Sequence, residues 1–390
     1  MDQLKRNKIK LKSNDLFSYI FLLIVSIESG IRFTEFQLYG IASRILLFVE
    51  IIFFLIVLIG QKYKITDLYK MILLLIFGIA SYSTTGSTQL LVAIMTAIVF
   101  SRLDWNNALN FLFATRLSVM LIINGLSIFG VTDINSRLVG KSYGVVEAYG
   151  LGYNHPNRYA YSILYLQMLY LCLKKEKVRN SNLFFVLITG SMGYSITKSR
   201  TLLIATLVLV VLVFLFKTKL HVKLIIKIMD CSARFVYLFC ALFSLLVPYV
   251  ITKITGKLSL FFSQISDMMS GRLSIINMVY ENCSITLFGG EDDFISILQK
   301  QPIDNGYVNI LFGFGIVGLS LVLIFFYLTI DKLTKRQEYI YVICMIIMAF
   351  VGISENILLY NSFNIGILFW GVMFTKYSIE SDSVKKVSIG

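Results

Sequence analysis

Four short stretches bring together residues that could bind an anion and move a proton. Arg158 follows His155-Pro156-Asn157, Arg200 sits in Thr197-Lys198-Ser199-Arg200-Thr201, Arg272 follows Ser270-Gly271, and Asp304-Asn305 precede Gly306-Tyr307. Arginine offers a planar, permanently charged fork of donors that suits phosphate oxygens. A carboxylate such as Asp304, or an imidazole such as His155, can take a proton from a hydroxyl. Each group also has a plainer reading. An arginine beside a bilayer can snorkel to headgroups, Asp304 can cap a helix, and His-Pro-Asn is turn chemistry.

Other charged positions carry less. Arg44 and Arg116 fall within apolar stretches, where charge is expensive and is either functional or paired. Arg44 lies near the outer end of its stretch and could join the same anion site, whereas Glu50 is the expected partner for Arg116. Glu291-Asp292-Asp293 are adjacent and would not converge on one cation. No zinc spacing, phosphate-binding loop or nucleophile elbow occurs, so neither a metal nor a cofactor is expected.

The elements that must position these groups are helices in a bilayer. Of 390 residues, 57% are hydrophobic and only 15% charged, with a mean hydropathy of +0.78. Soluble domains carry about 25% charged residues. The expectation is an all-α polytopic membrane protein forming a single integral membrane domain over 1–390. About twelve helices are expected, near 16–31, 39–60, 68–84, 88–101, 109–130, 158–173, 182–197, 201–216, 235–252, 306–329, 339–354 and 359–375. Lys and Arg number 36 against 22 Asp and Glu, and they gather in alternate loops. That bias places both termini in the cytoplasm, and it makes orientation, not nucleic acid, the reason for the net charge of +14. Of the five cysteines only Cys283 falls clearly outside, so no external disulfide pair is expected.

Two external loops follow from this topology, 131–157 and 252–305. In the larger one Phe261, Ile265, Met268 and Met269 recur at helical spacing, and Leu273, Ile276, Tyr280 and Cys283 do so again. Gly289-Gly290 would stop the second of these short amphipathic helices. They would lie in the headgroup interface or pack as a lid on their own loop. Residues 376–390 form a solvated cytoplasmic tail.

With these motifs in order, the chain resembles the Wzy-type repeat-unit polymerases and O-antigen ligases that build bacterial capsule and exopolysaccharide. The resemblance covers roughly residues 150–330. It rests on Ser199-Arg200-Thr201 in a short external turn, Ser270-Gly271-Arg272 in the large loop and Phe288-Gly289-Gly290 after it. Asp304-Asn305-Gly306-Tyr307 then leads into Leu311-Phe312-Gly313-Phe314-Gly315-Ile316-Val317-Gly318, and Tyr153-Asn154-His155-Pro156-Asn157 resembles a motif of capsule polymerases. Asp304 stands where that family usually has histidine, and the aromatic residue expected after the loop arginine is replaced by Ile275, Ile276 and Asn277.

The resemblance implies a plasma-membrane glycosyltransferase with an external active site. It would join undecaprenyl-pyrophosphate-linked oligosaccharides, alongside a chain-length regulator and a flippase of the same pathway. Arg200, Arg272, Arg158 and Arg44 would hold pyrophosphate, with Asn305 and Tyr307 also at the substrate. Asp304, or His155 in reserve, would take the acceptor proton in an inverting transfer, and Tyr149, Tyr153 and Tyr307 could stack on sugars. Two alternatives stay open. One is a flippase of lipid-linked oligosaccharide, against which the unlike halves and scarce prolines argue. The other is a ligase acting on a different acceptor.

Overall fold

Long runs of Leu, Ile, Val and Phe with few breakers satisfy their own backbone only as helices, and helices dominate the molecule. The computed structural model describes residues 13–374 apart from 35–40, 62, 142–143, 176, 218–225, 227–228 and 254–271. The expected helix over Phe261–Met269, the dipeptide Ser270-Gly271 and the tail 376–390 therefore lie outside the described residues.

Helices occupy eleven of the twelve expected positions. They are α1 (Ser13–Ile31), α2 (Ile41–Ile59), α3 (Ile65–Thr85), α4 (Gln89–Phe100), α5 (Trp105–Ile128), α6 (Pro156–Leu173), α7 (Asn180–Thr197), α8 (Arg200–Lys217), α9 (Val236–Lys253), α12 (Gly306–Lys335) and α13 (Tyr339–Ser354). Two shorter helices, α10 (Arg272–Asn282) and α11 (Asp292–Lys300), lie in the large loop before α12. Among the described residues, five helical stretches are long and apolar enough to cross a membrane: Ile65–Ser83, Trp105–Ile128, Arg200–Lys217, Met229–Pro248 and Gly306–Lys335. Their outer faces are greasy. Leu73 is 63% exposed, Ile204 60% and Phe239 60%, a pattern that suits lipid and not water.

Three expectations need correction. The loop 131–157 is not all helix and coil, because Ser136–Lys141 (β1) pairs antiparallel with Gly144–Tyr149 (β2), Ser136 opposite Tyr149. In the large loop α10 ends at Asn282, well before Gly289-Gly290, and an extended run then leads to α11. The acidic residues open that helix, with Asp292 and Asp293 in its first turn, where negative charge complements the dipole.

The third correction concerns the last expected helix, 359–375. Residues 355–365 are turns, followed by one helical turn, α14 (Gly366–Phe369), and a 3-10 turn at Trp370–Met373. Side chains of Asn361 and Asn364 make hydrogen bonds where a helical ladder is missing. Asn364 donates to the Leu358 carbonyl (2.7 Å) and accepts from Gly366 N–H (2.8 Å), while Asn361 donates to Thr96 Oγ1 (2.9 Å). Phe363, Asn364, Phe369 and Trp370 are all buried, the last against Phe326. Irregular backbone within a membrane domain is tolerated only when protein encloses it, as here. Arg116 takes part in the same scheme. It donates to the carbonyls of Asn361 (3.2 Å) and Ser26 (3.4 Å) beside the Tyr165 ring, so the expected Glu50 is not the group that meets it.

The break in α12 shapes the end of the bundle at which that helix starts. Gly315 adopts φ +72° inside the helix, and the extended run 284–290 lies along the gap. Ile316 N–H donates to Thr286 O (3.0 Å), Val317 N–H to Leu287 O (3.1 Å) and Gly290 N–H to Phe312 O (3.1 Å). The Phe-Gly-Gly and Leu-Phe-Gly-Phe-Gly motifs are thus two halves of one contact. Gly289 has φ +71°, and a Cβ there would lie 2.5 Å from the Gly313 carbonyl carbon. Gly130 has a similar φ of +73° but faces open space. Gly130→Ala should therefore lose only about 1–2 kcal/mol of stability, through added backbone strain, and Gly289→Ala clearly more. Thermal unfolding of the detergent-solubilised variants measures this, and equal losses would refute the contact as a constraint.

Candidate functional site

The starts of α6, α8, α10 and α12 and the end of α13 meet around one guanidinium. Arg272, the first residue of α10, donates through Nη1 to the Ser354 carbonyl and through Nη2 to Glu355 Oε1 at 2.9 Å, with Asp304 Oδ2 at 3.3 Å. One cation therefore holds two carboxylates from different parts of the chain. They differ in access, since the Asp304 side chain is 36% exposed and that of Glu355 only 4%.

Glu355 is anchored further by Thr201, in the first turn of α8, whose hydroxyl donates to the same Oε1 at 3.1 Å. The buried Tyr161 hydroxyl faces this carboxylate as well, short of a well-aligned hydrogen bond. Burial pushes the Glu355 carboxyl above the ordinary carboxylate range, and the Arg272 charge offsets only part of that rise. A carboxylate so enclosed persists only with a cation in contact.

At α12 the neighbours Asp304 and Asn305 divide two tasks. Asn305, not Asp304, is the cap. Its Oδ1 accepts from Tyr307 N–H and Val308 N–H, both at 3.0 Å, and its Nδ2 donates to Ile353 O at 2.8 Å. Asp304 is left to face Arg272 and the surface. Asn305 and Tyr307 are both buried, with the Tyr307 hydroxyl bonded to Ala349 O (2.9 Å). Their polar atoms are spent on the protein, so the expectation that they touch substrate is withdrawn. Tyr153 is likewise enclosed and unable to stack on a sugar, whereas Tyr149 remains accessible on β2.

His155 and Arg158 open α6 beside this cluster. The His155 Nδ1 accepts from Asn157 N–H at 3.0 Å, which makes the imidazole a helix cap. Burial, with Arg137, Arg158 and Arg272 nearby, pushes its pKa down to about 4. An imidazole so weakly basic, with one lone pair committed, is a poor general base at neutral pH. Arg158 lies over the rings of Phe33 (4.7 Å), Tyr360 (5.4 Å) and Phe363 (5.6 Å), an aromatic seat that fixes the charge without neutralising it. Arg200 is exposed at the start of α8, next to Thr201. Arg44 is exposed on the first turn of α2, apart from the contacts that gather Arg272, Asp304 and Glu355.

Of the residues that sequence reading names, Arg272 and Asp304 are in contact and Arg158 and Arg200 open helices beside them, while Glu355, Tyr161 and Thr201 were given no role of their own. The available signal was Ser-Glu-Asn directly after an apolar helix, an acid at the expected outer boundary.

The histidine cap has a consequence for stability. The unfolded imidazole takes up its proton near pH 6.5 and the folded one only near 4. Stability is therefore complete above 6.5 and falls as the pH drops toward 4, by at most about 3 kcal/mol. His155→Asn keeps a capping side chain without titrating. Its melting temperature should fall less steeply than wild type over this window, and parallel pH profiles would rule the linkage out.

In comparisons with protein-family models, curated proteins and solved structures, the chain matches none.

Proposed function

We propose that the chain is a membrane glycosyltransferase that polymerises polyprenyl-pyrophosphate-linked oligosaccharide repeat units at the external face of a bacterial plasma membrane. The observation that carries this reading is the Asp304–Arg272–Glu355 array, with an accessible carboxylate at the mouth and a buried one behind it.

Arg272 is committed to protein acceptors. The pyrophosphate therefore falls to Arg158 and Arg200, which have no carboxylate partner among the described residues, aided by the positive ends of α6 and α8. Asp304 takes the proton of the acceptor hydroxyl as its oxygen attacks the anomeric carbon. The bond from that carbon to the pyrophosphate oxygen breaks, the lipid pyrophosphate leaves as an anion, and the centre inverts. Glu355 and Thr201 hold Arg272, and through it Asp304, in register. No chemical step is assigned to His155.

A second reading, a flippase of the same lipid-linked units, draws on the break at Gly315 and the unwound crossing around Arg116. Discontinuous helices and enclosed charge are features of transporters.

One experiment separates the two. A deletion strain is complemented at matched protein level with wild type, Asp304→Asn, Arg200→Ala, Arg272→Ala or His155→Asn, and glycan length and the sidedness of lipid-linked units are measured. The polymerase reading expects single units on the external carrier for the null and for Asp304→Asn. Chain extension should drop about 10²–10⁴-fold for Asp304→Asn, with strong losses in both arginine variants, while His155→Asn still makes long chains. Long polymer from the null refutes the enzyme, and units confined to the inner face establish the flippase.

A further inference from the structure

At the end of the bundle away from Arg272, a cavity of about 580 Å³ opens between the start of α5, the end of α6 and the start of α7. This is the distant end, since the 18 residues of α6 carry the chain about 27 Å from the cluster. Lys174, Lys175, Lys177 and Arg179 line the cavity, with Asn106, Asn110 and Ser181. Lys175 is already neutralised by Glu338, at 2.8 and 2.9 Å from its two oxygens. Asp104, another acid at this end, caps α5 through Asn107 N–H (2.9 Å). Lys174, Lys177 and Arg179 have no carboxylate partner among the described residues. Asn106 and Asn110 lie one helical turn apart and add amide donors.

The cavity is more than the basic loop that orientation requires. It has the volume of a small-molecule site, and an apolar track leads away from it. Along α7, Phe184 (64% exposed), Phe185 (50%), Ile188 (42%) and Met192 (60%) fall at helical spacing on one outward stripe. An anion with greasy chains fits both features, with phosphate among the three cations and hydrocarbon along α7.

We propose that this cavity binds the phosphodiester headgroup of an anionic phospholipid, whose acyl chains lie on the outer stripe of α7. The proposal is independent of the polymerase reading, because it concerns the opposite end of the molecule and requires only that the chain sits in a bilayer.

Purified full-length protein in neutral detergent is titrated with phosphatidylglycerol, phosphatidylcholine, glycerol 3-phosphate or inorganic phosphate, and binding is followed by native mass spectrometry and thermal shift. The triple variant Lys174→Gln, Lys177→Gln, Arg179→Gln is compared with a charge-matched control at the same end, Arg234→Gln, Lys332→Gln, Lys335→Gln. One phosphatidylglycerol should bind per chain, at least about tenfold more tightly than phosphatidylcholine. That preference should vanish in the first triple variant and persist in the control. Equal affinity for the two lipids, or equal loss in both variants, would overturn the site. Protection by inorganic phosphate or glycerol 3-phosphate at the lipid's own concentration would overturn the lipid assignment in favour of a soluble anion.

Discussion

A buried carboxylate needs a cation, and at Glu355 that need organises one end of the molecule. Removing a charge from water costs several kcal/mol even after relaxation, so Glu355 can stay charged only with Arg272 in contact. Arg272 opens α10, Glu355 follows α13, and Thr201 belongs to α8, so one ion pair ties together segments separated by 83 residues of sequence and more. The Ser354 carbonyl and Asp304 take the remaining donor directions of the same guanidinium. A lysine could satisfy the charge here but not this fan of acceptors.

The same constraint explains why the last described segment is not a helix. A helix running on from Ser354 would spend its backbone on itself and offer nothing to its neighbours. Unwound, residues 355–365 present the Asn361 carbonyl to Arg116 and bring Tyr360 and Phe363 beneath Arg158. Asn364 satisfies the Leu358 carbonyl and the Gly366 N–H, polar groups that unwinding exposes. Two cations, one fixed by carbonyls and one by rings, are thus positioned by a single irregular segment that is largely buried in the bundle.

How much of this was legible follows from the nature of each signal. Apolar runs with polar punctuation locate eleven helices, because hydropathy is local and each helix satisfies its own hydrogen bonds. The twelfh expectation failed where the mean concealed the particulars: Asn361, Asn364, Gly366 and Gly371 sit among Leu, Ile and Phe, so the window reads as oily while its residues favour turns. Glu355 was missed for a related reason. Its importance lies in being enclosed by Tyr161, Thr201 and Arg272, and enclosure is a property of packing that no short motif encodes. The glycine motifs, by contrast, were readable as motifs but not as partners, since the contact between 286–290 and 312–317 joins distant backbone.

The adjacent pair Asp304-Asn305 shows how a cap choice can set up chemistry. Either side chain could have met the free N–H groups at the start of α12. An aspartate there would have its charge drawn into the helix terminus and its oxygens occupied by Tyr307 and Val308. Asparagine does that work as a neutral group and uses its amide to bind Ile353, a second contact that a carboxylate cannot make. Asp304 is then the residue that turns toward Arg272, held by one contact and one-third exposed. The acid at the mouth is accessible because its neighbour has taken the structural task, and an exchange of the two residues would bury the charge and leave the amide facing solvent.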